Sequence, residues 1–127
     1  MYSLANNFQN CAGKCNVIEV NEGNVKVELE IEEKYTNPYG TLHGGMTATL
    51  IDIVTTTALI ATPQGRPGVS IDLTINYLAP AKIGETIIID AWVNKLGKTL
   101  GYTSANIYRK SDNTKIVTAL HTKAFPI

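Results

Sequence analysis

Cysteine, histidine and net charge are all scarce in this chain of 127 residues. The two cysteines and two histidines are too few for a disulfide framework or for a zinc site built from Cys and His ligands. Eleven Lys and Arg residues balance eleven Asp and Glu residues, so the chain lacks the positive field that nucleic-acid binding requires. We therefore predict no metal site and no nucleic-acid partner.

A membrane-spanning segment is also missing from the pattern. The segment Leu42–Thr62 has about the length of a membrane span, but two glycines, six threonines and Asp52 make its insertion costly. The first residues show neither the apolar core of a secretory signal nor an Arg-rich presequence. We expect no transmembrane segment and a cytoplasmic location, with the mitochondrion as the alternative.

Charge is distributed unevenly along the chain, although the total is zero. Residues 1–65 hold three basic and seven acidic residues, whereas residues 66–127 hold eight basic and four acidic residues. A small anionic ligand is therefore expected to bind the second half.

The length and the ordinary composition predict a single domain over residues 1–127.

Periodicity predicts strands at both ends of the chain and one helix between them. Apolar and charged residues alternate from Val25 to Glu32, which indicates a half-buried strand, and Cys15–Val20 supplies the other arm of a hairpin. The Pro-free segment after Gly40 predicts a long helix that is apolar on most sides and ends at Pro63–Gly68. Later strands are predicted at Val69–Tyr77, Thr86–Leu96, Thr99–Tyr108 and Lys115–Phe125.

The resulting order, ββαββββ, predicts an α+β fold in which a sheet encloses the helix. Short connections favour an antiparallel meander of the last four strands, curved about the helix. In the first of these strands, alternation places Leu73 and its apolar neighbours at every second position on one face and Ser70 on the other.

Asp52 is the most informative single residue, because it is the only charged group between Lys34 and Arg66. A carboxylate inside an apolar helix requires hydrogen bonds or a function to compensate for its burial, so it is either catalytic or bonded to a neighbouring loop. The glycines of Gly40–Gly45 open the helix, where free N–H groups suit a developing oxyanion or where crossing elements need small residues.

Three polar residues near these segments have two interpretations each. Asn37 precedes Pro38 and either presents its amide to a substrate carbonyl or forms a turn. His43 either orients a neighbouring side chain or hydrogen-bonds its own loop. Ser70 follows the Gly68 turn, and a strand serine usually has no catalytic role.

The segment Asn37–Asp52 resembles the signature of hotdog-fold acyl-CoA thioesterases of the phenylacetate-degradation type, and most closely the eukaryotic acyl-CoA thioesterase 13 group. The similarity continues through four further blocks, Pro67–Asp72, Tyr77–Lys82, Gly97–Leu100 and His121–Lys123. The resemblance implies the hotdog fold, a long central helix wrapped by a curved antiparallel sheet, and homodimers that pair into homotetramers.

The resemblance also implies roles for individual residues. Asp52 takes the place of the catalytic carboxylate, Gly44 that of the N–H that polarises the carbonyl, and Asn37 that of the orienting amide. Ser70 occupies the position of the water-positioning hydroxyl, and His43 the position that supports the asparagine. The implied contacts to coenzyme A, which is part of the substrate rather than a separate cofactor, are Tyr77, Leu78, Ala79, Pro80, Ala81, Lys82, Lys95, Leu96, Gly97, Lys98, Thr99, Leu100 and Ala124.

The function that the resemblance implies is hydrolysis of fatty, medium- or long-chain, or aryl acyl-CoA to the free acid and coenzyme A. Two alternatives stay open at this point: a hotdog dehydratase or hydratase acting on 3-hydroxyacyl thioesters, and a non-catalytic acyl-CoA-binding module. A dehydratase would need a histidine and a carboxylate that converge on the substrate, whereas a binding module would use Asp52 only structurally.

Overall fold

The computed structural model describes residues 8–126, which form one α-helix and six β-strands. The elements are β1 (Asn16–Asn21), β2 (Asn24–Glu30), α1 (Gly44–Ile60), β3 (Val69–Tyr77), β4 (Thr86–Leu96), β5 (Leu100–Arg109) and β6 (Lys115–Ala124). Short 3₁₀ turns at Phe8–Ala12 and Glu33–Tyr35 precede β1 and follow β2. The predicted order ββαββββ and the α+β fold class are confirmed.

All strands belong to one antiparallel sheet with the spatial order β1-β2-β4-β5-β6-β3. The predicted meander of four strands is therefore wrong, because only β4, β5 and β6 follow one another and β3 pairs with β6 at the far edge. The eight-residue connection 78–85 is too long for a hairpin and crosses the end of the sheet instead. Arg109 holds this connection by donating to the Pro80 carbonyl at 3.0 Å and pairing with Glu85 at 2.8 Å.

The core lies between one face of the sheet and α1. Val25, Val27 and Leu29 of β2 are buried, as their alternation predicts, and they face the side of the helix that carries Leu50 and Val54. The opposite side of α1 is not covered within residues 8–126. It presents small and polar residues that are half-buried or exposed, namely Gly45, Thr49, Asp52 and Thr56. The expectation that protein surrounds the helix is therefore wrong for a single chain.

The edge strand β3 contains a bulge that changes which residues share a face. Its pairing with β6 shifts between Ser70 and Asp72, so Ile71 is an extra residue in the ladder. A bulge reverses the alternation beyond it. Ser70 pairs with Lys123 and Leu73 pairs with His121, so both lie on the inner face of the sheet. The prediction that Ser70 and Leu73 occupy opposite faces is wrong for this reason.

None of the helices within residues 8–126 combines the length and the apolarity that a membrane crossing requires.

Candidate active site

Asp52 projects from the middle of the uncovered side of α1. Its side chain is 49% exposed, so the expected burial among apolar neighbours is wrong. Each residue of an α-helix is turned by about 100° from the next, which places Asp52 at the open edge between α1 and β6 while Ile51 and Ile53 are buried. The carboxylate is consequently accessible to a ligand. The backbone carbonyl of Asp52 accepts a hydrogen bond from Thr56 Oγ1 at 2.7 Å.

A buried hydrogen-bonded chain lies beside this carboxylate. His121 of β6 is 0% exposed and stands between α1 and β3. Its Nδ1 is 2.7 Å from Thr55 Oγ1, and its Nε2 is 2.7 Å from Ser70 Oγ and 3.9 Å from Asp52 Oδ1. Three elements thus place Ser70, His121 and Asp52 together, although 69 residues separate Asp52 from His121.

The partners of Thr55 fix the tautomer of this histidine. The single hydroxyl proton of Thr55 goes to the Ile51 carbonyl at 2.7 Å, so Thr55 Oγ1 accepts a hydrogen bond from His121 Nδ1–H. The neutral ring then carries its free lone pair on Nε2, which accepts the hydroxyl proton of Ser70. The oxygen of Ser70 is left as an acceptor, ready to hold the proton of a water molecule.

Ser70 reaches this position because of the turn and the bulge on either side of it. Gly68 has φ +66°, and a Cβ built there would stand 2.7 Å from the Ala124 carbonyl oxygen, so only glycine fits this approach of the chain to β6. The bulge at Ile71 then turns Ser70 inward. Bulges that redirect one side chain are frequent beside active sites.

Burial lowers the pKa of His121, with Lys123 acting in the same direction and Asp52 and Asp72 opposing it. We predict that the free energy of unfolding falls as the pH drops below about 6.5, the ordinary pKa of histidine. In that range the unfolded chain binds a proton at His121 that the folded chain does not bind. Denaturant unfolding measured from pH 8 to pH 5 tests this. In His121→Gln the dependence in this window should flatten, and an identical slope in both proteins would contradict the assignment.

Lys123 is a second buried polar residue next to Asp52, two positions after His121 on the same face of β6. It is 5% exposed, and its Nζ donates to Thr56 Oγ1 at 2.6 Å. Burial lowers its pKa, and the carboxylate of Asp52 counteracts part of that effect. Lys123, Asp52 and Thr56 line a shallow depression of about 400 Å³ on the uncovered side of α1, which Gly68 also lines.

His121 and Lys123 are the site residues that sequence reasoning missed: they lie in a block of the family resemblance, but no role was assigned to either residue. A signal was present in β6, where the inward positions Val117 and Ala119 are followed by two polar residues at the same spacing of two. Polar side chains on the buried face of a strand indicate either a hydrogen-bonded network or a site.

The start of α1 forms a second group of the candidate residues. His43 is the N-cap, and its Nδ1 accepts the Gly45 N–H at 2.8 Å, so its side chain bonds its own loop. The Gly44 N–H has no acceptor within the part of the chain that the structure describes. The Gly44 carbonyl accepts the hydroxyl proton of Tyr77 at 2.9 Å. A free N–H at the positive end of a helix suits an oxyanion.

Asn37 lies in the loop before α1 and closes a turn. Its Oδ1 accepts from the Tyr39 N–H at 2.9 Å, and its Nδ2 donates to Thr41 Oγ1 at 2.8 Å. In residues 8–126 the side chain of Asn37 has no hydrogen bond to His43, the support that the resemblance implies. The second proton of the amide is available to a ligand.

The candidate residues thus fall into two groups in one chain. Gly44 and Asp52 are eight positions apart on α1, which corresponds to about 12 Å along the axis and about 80° around it. Asn37, His43 and Gly44 lie at the N-terminal end of the helix, whereas Ser70 lies with Asp52.

The implied coenzyme A contacts divide in the same way. Tyr77–Lys82 lies near the start of α1, where the Leu42 N–H donates to the Ala81 carbonyl at 2.7 Å. The turn that contains Lys95–Leu100 lies at the opposite end of the sheet, where Leu100 pairs with Ala124. The length of β3, whose ends are Val69 and Tyr77, separates the two groups by about 26 Å.

Comparisons with known proteins identify the family of this chain. The sequence profile of the thioesterase superfamily matches residues 39–116. The chain is 47% identical over 119 residues to acyl-coenzyme A thioesterase 13 of Homo sapiens, which covers 94% of this chain and 85% of the human protein. Mouse acyl-coenzyme A thioesterase 13 is 50% identical over 96 residues, which covers 76% of this chain and 69% of the mouse protein.

Solved structures show the same fold. Zebra fish thioesterase superfamily member 2 superposes with a TM-score of 0.96 at 40% identity, covering 98% of this chain and 91% of that chain. A Streptococcus mutans protein bound to acetyl CoA superposes with a TM-score of 0.81 at 27% identity, covering 87% and 88% of the two chains. The resemblance drawn from the sequence is confirmed: this chain belongs to the thioesterase superfamily and is a thioester hydrolase.

Proposed function

We propose that this protein hydrolyses acyl-CoA thioesters whose acyl group is a medium- or long-chain fatty acid or an aryl acid. The observation that carries the proposal is the open Asp52 carboxylate beside a serine whose hydroxyl is oriented by a buried histidine, Nε2 of His121 lying 2.7 Å from Ser70 Oγ. The relatives named for acyl-coenzyme A and the bacterial structure that holds acetyl CoA support the same substrate class.

In the first proposed route Asp52 is a general base. A water molecule donates one proton to Ser70 Oγ and the other to Asp52, and its oxygen attacks the thioester carbon. The Gly44 N–H stabilises the oxyanion that forms on the carbonyl oxygen. The C–S bond then breaks, the thiolate takes the proton from Asp52, and the products are the free acid and coenzyme A.

In the second route Asp52 is the nucleophile. A carboxylate oxygen attacks the same carbon, the C–S bond breaks, and a mixed anhydride joins the acyl group to Asp52. Water held by Ser70 then hydrolyses the anhydride and restores the carboxylate. Thiolate is a good leaving group, so neither route requires a strong general acid.

Either route needs Gly44 and Asp52 at one thioester carbon, which a single helix cannot provide at a separation of about 12 Å. We therefore propose that each site forms between two chains whose α1 helices pack antiparallel across a two-fold axis. The edge strand β3 supports this assembly, since its side chains Val69, Ile71 and Tyr77 are more than half exposed. We further propose that these dimers pair into tetramers in the cytoplasm.

An antiparallel pair also explains how one coenzyme A reaches both sets of implied contacts. The start of one helix and the end of its partner then lie side by side, so Tyr77–Lys82 of one chain faces the Lys95–Leu100 turn of the other. The basic second half of the sequence supplies Lys82, Lys95 and Lys98 near these turns, where they can meet phosphates without being buried.

The dehydratase alternative is disfavoured by the surroundings of the histidine. His121 lies 3.9 Å from Asp52, but it is fully buried and both of its ring nitrogens already bond to Thr55 and Ser70. It cannot reach the α or β carbon of a substrate without losing these partners. His43 likewise uses Nδ1 to cap α1.

Release of free thiol from acyl-CoA, followed with a thiol reagent, tests the proposed function. We expect turnover on a series of fatty and aryl acyl-CoA substrates. With a 3-hydroxyacyl thioester we expect hydrolysis of the thioester bond and no dehydration. Tight binding without thiol release would indicate a binding module, and formation of an enoyl thioester would indicate a dehydratase.

The coenzyme A contacts lead to a prediction about substrate binding. Lys98→Glu or Lys82→Glu should raise KM for acyl-CoA roughly tenfold, because the variant loses a charge-assisted phosphate contact and gains a repulsion. KM for the corresponding acyl-pantetheine, which lacks the nucleotide, should change much less. Lys26→Glu, on the outer face of β2, is the matched control, and equal effects on both substrates would remove Lys82 and Lys98 from the site.

A further inference from the structure

Lys123 is a buried cation beside the site to which the proposed reaction assigns no role. Its side chain leaves the inner face of β6, is 5% exposed and lines the same depression as Asp52. Burying an ammonium group is costly unless hydrogen bonds or an anion compensate for the lost water. A lysine at this depth, in a position that an apolar residue would fill, therefore requires an explanation.

The contacts of Lys123 connect it to Asp52 in two ways. Its Nζ donates to Thr56 Oγ1 at 2.6 Å, and Thr56 in turn donates to the Asp52 carbonyl at 2.7 Å. An ammonium group has three donors, and Thr56 takes the only one that has an acceptor within residues 8–126. Asp52 is the anion that favours the charged form of this lysine.

The same cation also acts on His121. Residues two apart on a strand share a face, so the side chains of His121 and Lys123 both enter the space between β6 and α1, about 7 Å apart. A positive charge at Lys123 opposes a second positive charge on the imidazole ring and favours a negative charge on the carboxylate. His121 Nε2 and Asp52 Oδ1 are themselves 3.9 Å apart, close enough for the charge on either side chain to influence the charge on the other.

Building on the hydrolase function proposed above, we propose that Lys123 is a positioning residue that sets the charge state of this site. Its ammonium group favours the Asp52 carboxylate and keeps the His121 ring neutral. Both states are needed in the reaction, since Asp52 must accept a proton or attack, and His121 Nε2 must keep the lone pair that orients Ser70.

The charged groups around Asp52 come from two elements in the described part of the chain. The strand β6 supplies His121 and Lys123, and the strand β3 supplies Asp72, which acts on His121 from the outer face. The 3₁₀ turn before β1 contributes Phe8 to the depression and no charge. Lys123 is thus the only cation of this set that keeps its charge when the histidine is neutral.

The decisive variant is Lys123→Gln, which keeps a donor for Thr56 but removes the charge. The acid limb of kcat/KM for acyl-CoA should move to higher pH, because the ring of His121 loses a neighbouring cation and takes up the proton that ends its hydrogen bond to Ser70 at a higher pH. At a pH on that limb the rate should fall about tenfold, while the plateau at higher pH changes little. Lys123→Arg keeps the charge and should leave the limb in place.

Lys115→Gln is the matched control, since Lys115 begins the same strand but is exposed. It should leave the pH profile unchanged. A Lys123→Gln profile that superimposes on that of the parent would overturn the proposal. If Lys123→Gln does not fold, Thr56→Val replaces it, because loss of the anchoring hydroxyl should shift the limb in the same direction, and an unmoved limb then overturns the proposal.

A second readout does not depend on turnover. With two histidines in the chain, the ring of His121 can be followed by NMR during a pH titration. Its pKa should rise in Lys123→Gln, and an unchanged value would contradict the inference. If the parent hydrolyses no acyl-CoA, the proposed function fails, and this titration still decides the role of Lys123.

Discussion

Asp52→Asn should lower kcat for acyl-CoA hydrolysis by about a thousandfold while the protein stays folded. The amide is nearly isosteric with the carboxylate but can neither accept a proton from water nor attack the thioester carbon, and loss of a nucleophile or general base typically costs this much. Because the Asp52 side chain is 49% exposed and its backbone carbonyl keeps the bond from Thr56, the fold has little reason to change.

The matched control is Asp72→Asn, which neutralises the carboxylate of β3 on the outer face of the sheet, where it bonds Thr74. That variant should retain turnover close to that of the parent. Single-turnover kinetics with acyl-CoA and unfolding curves for both variants complete the measurement. An Asp52→Asn protein that turns over at the parental rate would show that the carboxylate has no chemical role.

The second large effect concerns the assembly of the site from two chains. Asn37→Ala and Asp52→Ala should each be nearly inactive alone, yet a mixture after subunit exchange should recover activity. In a mixed dimer one site carries both substitutions and the other carries neither. With equal amounts and random exchange about a quarter of all sites are intact, so about a quarter of the parental activity should return.

The control for this experiment uses two residues on the same side of the site. Asp52→Ala mixed with Ser70→Ala should not recover, since every site of that mixed dimer carries one of the two substitutions. Exchange is verified by native mass spectrometry of chains with different tags. Absence of recovery in the first mixture, despite verified exchange, would mean that Asn37 and Asp52 act within one chain.

The strands and the helix were predictable because they depend on local patterns. Alternation from Val25 to Glu32 fixes which side chains of β2 are buried, and the Pro-free segment after Gly40 fixes the single helix and the place of Asp52 on it. The glycines at the start of α1 and the lone carboxylate further along it are sequence features, so both groups of candidate residues were visible as separate motifs.

What the sequence alone determined is therefore the set of elements, the buried face of β2, the family and the residues Asn37, Gly44 and Asp52 as candidates. Only the tertiary structure decided that β3 pairs with β6 at the far edge, since pairing between distant strands leaves no local periodicity. Only the structure located the bulge at Ile71, which carries no mark in the sequence and turns Ser70 inward. The same pairing brings His121 and Lys123 beside Asp52, because hydrogen bonds and charge act through space between residues that the chain order keeps far apart.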